Sequence, residues 1–458
     1  MLKLAAASRN RYLLVPLGAL LVVLLSYGLT SFSGARAKPI VPTAADDPDA
    51  AMQLGNPGSG SGIGTSDQGD TDRKIAFWQQ RIRDDPNSDA AYQYLGELFA
   101  KKGRETGDVA MYASADEALK KAIAIYPRNI NARSGLARNL VTLHQWSDAV
   151  EQAKRIVLAN PRAIGAIGVL GDASLEIGDI EGAEAAFNEL QRQIGGPSVE
   201  SRLARLSYLR GNSEAAISMA DAAAAGAATL NASGEEQAFY LYVAGEYRWG
   251  NGDTNGADAK YQAALSIFPS YYLALTGRGR VAFARGDLPK AIEFYRAAMA
   301  IIPKPEILAF LGDLYAVNGE TANAEKQYQA VDFIVKVNEA QAQVYNREIA
   351  LFQATHRRDT AHAVQIAAGE LEVRKDNYGY DALAWALYAN GQAAEAFAPA
   401  QQAVALGTQD ARLFYHLGMI ELATGRTADG QAHLRAALAL NPAFDPLGAA
   451  DATEALGQ

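Results

Sequence analysis

The side chains that could do acid–base or metal chemistry are few and scattered. The chain has five histidines: His144, His356, His362, His416 and His433. His356 and His362 are off the three-or-four spacing that sets two ligands on one helix face. His416 and His433 fall on what read as paired helices and could approach each other, but no third ligand is matched to them, so no metal is expected. The absence of cysteine excludes disulfides, thiolate zinc sites, iron–sulfur clusters and a thiol nucleophile. Gly277-Arg278-Gly279-Arg280-Val281-Ala282 fits the loose dinucleotide pattern G-x-G-x-x-A, whose phosphate-binding turn needs a strand before it and a helix after it. Here it lies inside a helical stretch, where Gly279 reads as a packing position. No H-E-x-x-H, GK[ST] or G-x-S-x-G motif occurs. No cofactor is expected, and nothing marks the chain as an enzyme.

The elements around these residues must therefore carry the argument. With 49% hydrophobic and 20% charged residues, the chain has enough apolar material for a real core. Lys plus Arg number 42 against 51 Asp plus Glu, a net charge of −9, which argues against the basic footprint that nucleic-acid binding needs. From Tyr12 to Ala35 no side chain is charged. The span about 12–32 matches the roughly 20 residues of a membrane-crossing helix. Lys3, Arg9 and Arg11 precede it, while Arg36 and Lys38 follow. Residues 1–37 are accordingly expected to form a signal or anchor, single-pass, with the amino terminus cytoplasmic and the remainder extracytoplasmic. The alternative is an exported soluble chain cleaved near Ala37. Residues 38–71, rich in Pro, Gly, Ser and Asp, read as a disordered linker.

Beyond the linker the sequence repeats itself. In SYYLALTGRGRVAFARGDLPKAIEFYRAAMAIIP the frame is Ala291, Tyr295, Ala298 and Pro303, and it recurs as Ala257, Tyr261, Ala264 and Pro269, a period of about 34 residues. Further copies stand on Ala115 and Leu119, Ala149 and Ala153, Ala183 and Phe187, Ala216 and Ala220, Ala324 and Tyr328, Ala396 and Ala400, and Gly430 and Leu434. A weaker copy on Ala363 and Ala367 completes ten units. Upstream of each lies a small residue, as at Gly96, Ala137, Gly171, Ala204, Gly312, Ala384 and Gly418. Each unit has two stretches of helical periodicity joined by a turn that often holds Gly. One such pair cannot bury its own apolar face, so neighbours must stack.

These residues resemble the tetratricopeptide repeat over 87–442. The resemblance implies an all-α, right-handed α-solenoid of helix-turn-helix repeats. The expected organisation is a capping helix over 72–86, repeats 1–4 over 87–230, an inter-array loop over 231–237, repeats 5–10 over 238–442, and a C-terminal cap or tail over 443–458. It also implies which positions face the concave groove. In the later units these are Phe239, Tyr242, Glu246, Trp249, Arg280, Phe283, Asp313, Tyr345, Glu348, Phe352, Asp381, Trp385, Tyr388 and Tyr415. Aromatics on such a face either anchor a peptide or pack against the next unit. Chaperone-binding members grip a terminal carboxylate with Lys and Asn, where the first unit here has Gln93 and Glu97. The function implied is a non-enzymatic scaffold that binds a protein or peptide. A component of an envelope assembly, secretion or polysaccharide-export machine is a second reading. A carbohydrate-binding or carbohydrate-processing accessory using the aromatic groove is a third.

Overall fold

The computed structural model describes residues 67–106, 108, 110–340 and 347–457. The described residues form 22 helices and no strand. The first is α1 (Asp67–Asp84). Ten hairpins follow: α2 (Asp89–Thr106) with α3 (Ala110–Ile125), α4 (Ile130–Thr142) with α5 (Trp146–Ala159), α6 (Ile164–Glu176) with α7 (Ile180–Gln193), and α8 (Pro197–Leu209) with α9 (Ser213–Thr229). The fifth to seventh are α10 (Gly234–Gly250) with α11 (Thr254–Ile267), α12 (Tyr272–Ala284) with α13 (Leu288–Ile301), and α14 (Pro305–Val317) with α15 (Thr321–Ala340). The last three are α16 (Arg347–Thr355) with α17 (Thr360–Val373), α18 (Asn377–Ala389) with α19 (Ala393–Val404), and α20 (Ala411–Ala423) with α21 (Thr427–Leu440). The short α22 (Gly448–Ala455) closes the array. Nearly every helix packs on its successor, and most first helices of successive units pack on one another, as in a helical solenoid.

The crossing inside each hairpin never pairs two large side chains. Where the first helix offers Gly, the second supplies a large side chain. A Cβ built on Gly171 would lie 2.3 Å from the Phe187 ring, on Gly245 2.5 Å from Tyr261, on Gly279 2.5 Å from Tyr295 and on Gly312 2.3 Å from Tyr328. Gly96 with Leu119 and Gly418 with Leu434 follow the same rule. Where the first helix offers Ala, the second also has Ala, as in Ala137 with Ala153, Ala204 with Ala220 and Ala384 with Ala400, all buried. The eighth unit reverses the order, with Leu351 and Ala367 in these places. Interiors pack near crystal density, so a large residue on both sides would force the helices apart and a small one on both sides draws them together. The Gly-x-Gly motif at 277–279 belongs to this packing, since a Cβ on Gly277 would also meet Tyr261, at 2.7 Å.

Several turns inside the hairpins share a two-residue device. Gly178, Gly211, Gly252 and Gly286 have φ near +80°, a conformation that L side chains rarely adopt. The next residue caps the second helix, with Asp179, Asn212, Asp253 and Asp287 each accepting from a backbone N–H three residues on; a cap of this kind contributes about 1 kcal/mol. Three of these turns meet backbone from roughly six repeats further along the chain. A Cβ on Gly178 would lie 2.6 Å from the carbonyl oxygen of Lys375, on Gly211 2.3 Å from that of Gly407, and on Gly252 2.4 Å from that of Leu440. The array thus winds until the turns of one coil rest on the inter-unit loops of the next. Side chains from the later coil satisfy helix-end carbonyls of the earlier one. Thr408 Oγ1 donates to the Leu209 carbonyl at 2.5 Å, and Asn441 Nδ2 donates to that of Trp249 at 3.1 Å. Charges join the same seam. Glu176 pairs with Arg205 at 2.6 Å within its coil and with Arg374 at 2.5 Å across it, while Arg374 also lies 5.0 Å over the Trp146 ring. Burial alone would push the Glu176 carboxyl up, but the two guanidinium groups outweigh it and hold the group at about 2.

Several sequence expectations meet a different arrangement. α1 starts at Asp67 rather than 72, because Thr71 is buried and its Oγ1 donates to Glu105 at 3.0 Å. The extra residues around 231–237 lengthen helices instead of forming a seven-residue loop. α9 and α10 have 17 residues each, where neighbouring units have 13 and 14. In the seventh unit α15 is 20 residues long, where the second helices of the sixth and eighth have 14. The single-pass membrane assignment is corrected. Among the described residues no helix is long and apolar enough to cross a membrane. The span at 12–32, the cleavage point near Ala37 and the linker up to 66 lie outside the described residues.

Two substitutions test the seam. Gly286 and Gly211 share a positive φ, but nothing lies within 4 Å of a Cβ on Gly286. Gly286→Ala is expected to cost about 1–2 kcal/mol from backbone strain alone, and Gly211→Ala at least about 1–3 kcal/mol more from overpacking, as read by urea denaturation; equal losses would mean that the coils do not touch. Glu176→Gln, which removes the carboxylate that half-buried Arg205 and Arg374 share, is expected to cost roughly 1–3 kcal/mol. A carboxyl lowered on folding contributes stability that is present above its unfolded value, near 4.5, and is lost as pH falls toward 2. The wild-type chain should therefore lose more stability than Glu176→Gln over that acid window.

Candidate binding cavity

Four first helices, α14, α16, α18 and α20, line one side of a cavity of about 350 Å³. Residues 444–451, at the start of the C-terminal cap, line the other. The repeat frame places the wall residues, because the groove-facing positions of successive first helices fall side by side. Trp385 is fixed by Nε1, which donates to Thr355 Oγ1 at 3.0 Å. Its ring stacks on His416 at 4.0 Å and on Tyr388 at 5.0 Å. Tyr415 packs against Trp385 and Phe444, each at 5.4 Å, and its hydroxyl donates to Asp451 at 3.2 Å. Gly448 fits beneath them, since a Cβ there would lie 3.0 Å from both Phe444 and Tyr415.

Two carboxylate–imidazole pairs brace the walls. Asp381 holds His416 Nδ1 at 2.8 Å, with both residues buried. Asp313 accepts from Tyr328 Oη at 2.8 Å and meets His356 Nε2 at 2.7 Å. His356 Nδ1 lies 2.9 Å from the Phe352 carbonyl, so both ring nitrogens face acceptors and the doubly protonated ring suits the site. Burial would push His356 down, but the Asp313 hydrogen bond and charge outweigh it and raise the imidazole above its ordinary value. With both nitrogens engaged, His356 braces α16 against α14 and has no free position for proton transfer.

The structure brings together Asp313, Glu348, Phe352, Trp385, Tyr388 and Tyr415 as cavity lining. Asp381 lies just behind, on His416. Trp385, Tyr415 and Phe352 are buried, while Tyr388 is half-buried. The candidates on α10 and α12 form a separate group. Glu246 accepts from Tyr261 Oη at 2.6 Å and pairs with Arg280, whose guanidinium lies 5.4 Å over the buried Trp249 ring. Tyr242 is 6.0 Å from Tyr261. Phe283 packs on the core of α13 and α14. Phe239 is 40% exposed. Tyr345 lies outside the described residues. His416 and His433 do not share a site, since His433 instead meets Glu421 at 2.6 Å, and no group of three or more metal-ligating side chains occurs among the described residues. Sequence reasoning missed His356, His416, Phe444, Asp445 and Asp451. The last three lie beyond the final repeat, where no frame assigns a facing.

Comparison with known proteins agrees with this architecture. The tetratricopeptide repeat model matches residues 134–197 and 242–304, within the second and third and the fifth and sixth hairpins, so the chain carries repeats of this kind. A comparison with curated proteins finds no match. Among solved structures, PilW, described as a widely conserved type IV pilus biogenesis factor, is 14% identical, with 44% of this chain and 92% of that one covered at a TM-score of 0.39. A tetratricopeptide repeat protein from Parabacteroides merdae is 16% identical, with 52% and 92% covered at 0.37. The Cut9–Hcn1 hetero-tetramer of the APC/C is 15% identical, with 89% and 94% covered at 0.31.

The His356 brace has a pH signature. A histidine raised on folding contributes stability that is complete below its unfolded value, about 6.5, and is lost as pH rises through the folded value. Between pH 6 and pH 9 the wild-type Tm should fall more than that of His356→Gln; parallel curves would show that the imidazole is not charged in the fold.

Proposed function

We propose that the chain is a non-enzymatic scaffold that binds a protein or peptide partner in the concave cavity of its last four repeats. The observation that carries this reading is the cavity itself. It lies where consecutive first helices present Phe310, Phe352, Trp385, Tyr388 and Tyr415 to one space of about 350 Å³, the lower end of the range for ligand sites. Its walls are braced before any ligand arrives, by the Asp313–His356 and Asp381–His416 pairs. A braced aromatic wall costs little side-chain entropy on binding, which favours anchoring residues of a partner. Asp313 and Asp381 are both engaged in these braces.

The test is site-directed photocrosslinking of the full chain in its own cells. A benzophenone amino acid at position 388, inside the cavity, is expected to yield a discrete polypeptide adduct. The same group at position 158, where Leu158 is 88% exposed, should not. Tyr388→Ala should weaken capture of the crosslinked partner by more than about 1 kcal/mol. Adducts at both positions alike, or none at 388, would remove the cavity as the binding site.

A further inference from the structure

Resting on that reading, we propose that the cavity selects a basic side chain of the partner, with lysine-type chemistry: a methylene stem against the aromatic wall and an ammonium at the cap carboxylates. Five carboxylates line the space, Glu306, Asp313, Glu348, Asp445 and Asp451, against Arg357 and Arg412. Each arginine has a neighbour of its own at the wall. Arg357 donates to the Ala389 carbonyl. Arg412 approaches Asp381 at 3.9 Å and lies 5.8 Å over the Tyr378 ring. Asp313 is already answered by His356.

Asp445 and Asp451 differ from the other acids. Asp445 Oδ1 accepts the backbone N–H groups of Leu447 and Gly448, at 2.9 and 2.7 Å. Asp451 accepts the neutral hydroxyl of Tyr415. Among the described residues neither has an ion-pair partner, although both line the cavity beside Phe444 and Tyr415. Burial, and then the negative charge of Asp313, push the Asp445 carboxyl up; a cation between these groups would relieve both effects. A lysine satisfies the two halves of the site together, since its stem is apolar and its head seeks carboxylates. An acidic partner residue would add to the repulsion already present.

The experiment titrates full-length protein with acetyl-Ala-Lys-Ala-amide, its norleucine and glutamate counterparts, and n-butylamine, read by saturation-transfer NMR. The lysine tripeptide should bind about tenfold tighter than the norleucine one, whose stem is the same but uncharged, and the glutamate tripeptide should bind weakest. In the double variant Asp445→Asn, Asp451→Asn the preference should vanish. Asn keeps the acceptors that hold the Leu447 and Gly448 amides and the Tyr415 hydroxyl, so the cap should fold as before. Equal binding of the lysine and norleucine peptides, or a preference that survives the double variant, overturns the cation site while leaving the peptide groove intact if Tyr388→Ala still abolishes binding. Binding of n-butylamine with no tripeptide bound supports the cation site and sinks the polypeptide reading. No binding by any probe at millimolar concentration overturns both.

Discussion

Two helices of a hairpin can approach only as closely as the bulk between them allows, and this limit shapes everything else in the chain. Gly faces Phe, Tyr or Leu, Ala faces Ala, and in one unit Leu and Ala exchange places. Because no crossing pairs two large side chains, every hairpin can close to contact. A small, repeated rotation between neighbours then accumulates into a coil. The sum brings hairpin turns to rest on loops roughly six units away.

That contact changes the energetics of the array. An open solenoid is quasi-one-dimensional, and each repeat stabilises only its neighbours. Here the ends of α8 and α10 find hydrogen-bond partners in Thr408 and Asn441, 199 and 192 residues later. The Glu176–Arg374 pair adds charge at the same seam. Opening the early units therefore parts their helix-end carbonyls and Glu176 from donors and a guanidinium in the late ones, so the two coils are energetically coupled across the chain.

The parts of this fold legible in the sequence were those fixed by local rules repeated many times. The period, the paired helices, the small crossing residues and the turn glycines each appear in most copies, and a pattern restated ten times tolerates the weak eighth unit. What stayed hidden depends on accumulation or on unique segments. No single copy of the repeat contains the inter-coil seam, because it arises from the sum of rotations. Extra residues near 231 and 335 announced only a departure from the period, and whether they extend helices or form loops depends on packing that spacing does not encode. In the cavity, the repeat frame set Trp385, Tyr388 and Tyr415 on one face, and they line one wall, but it said nothing of Phe444, Asp445 and Asp451, which follow the last repeat and form the opposite wall.

This second wall also explains why burial and ligand contact are not alternatives for the groove aromatics. In an open groove, a tryptophan on the concave face would be either solvent-exposed and free to bind or covered by the next unit. The cap creates a third case, in which Trp385 is covered on its ring faces by His416 and Tyr388 while the stack as a whole borders an open cavity. The stack has already lost its rotamer freedom in the folded chain, so a ligand that meets its edge does not incur that ordering cost. An exposed, mobile aromatic offers a larger contact area, but it must be ordered on binding. The arrangement seen here gives up area for rigidity, and so favours a small, chemically specific group over a broad apolar surface.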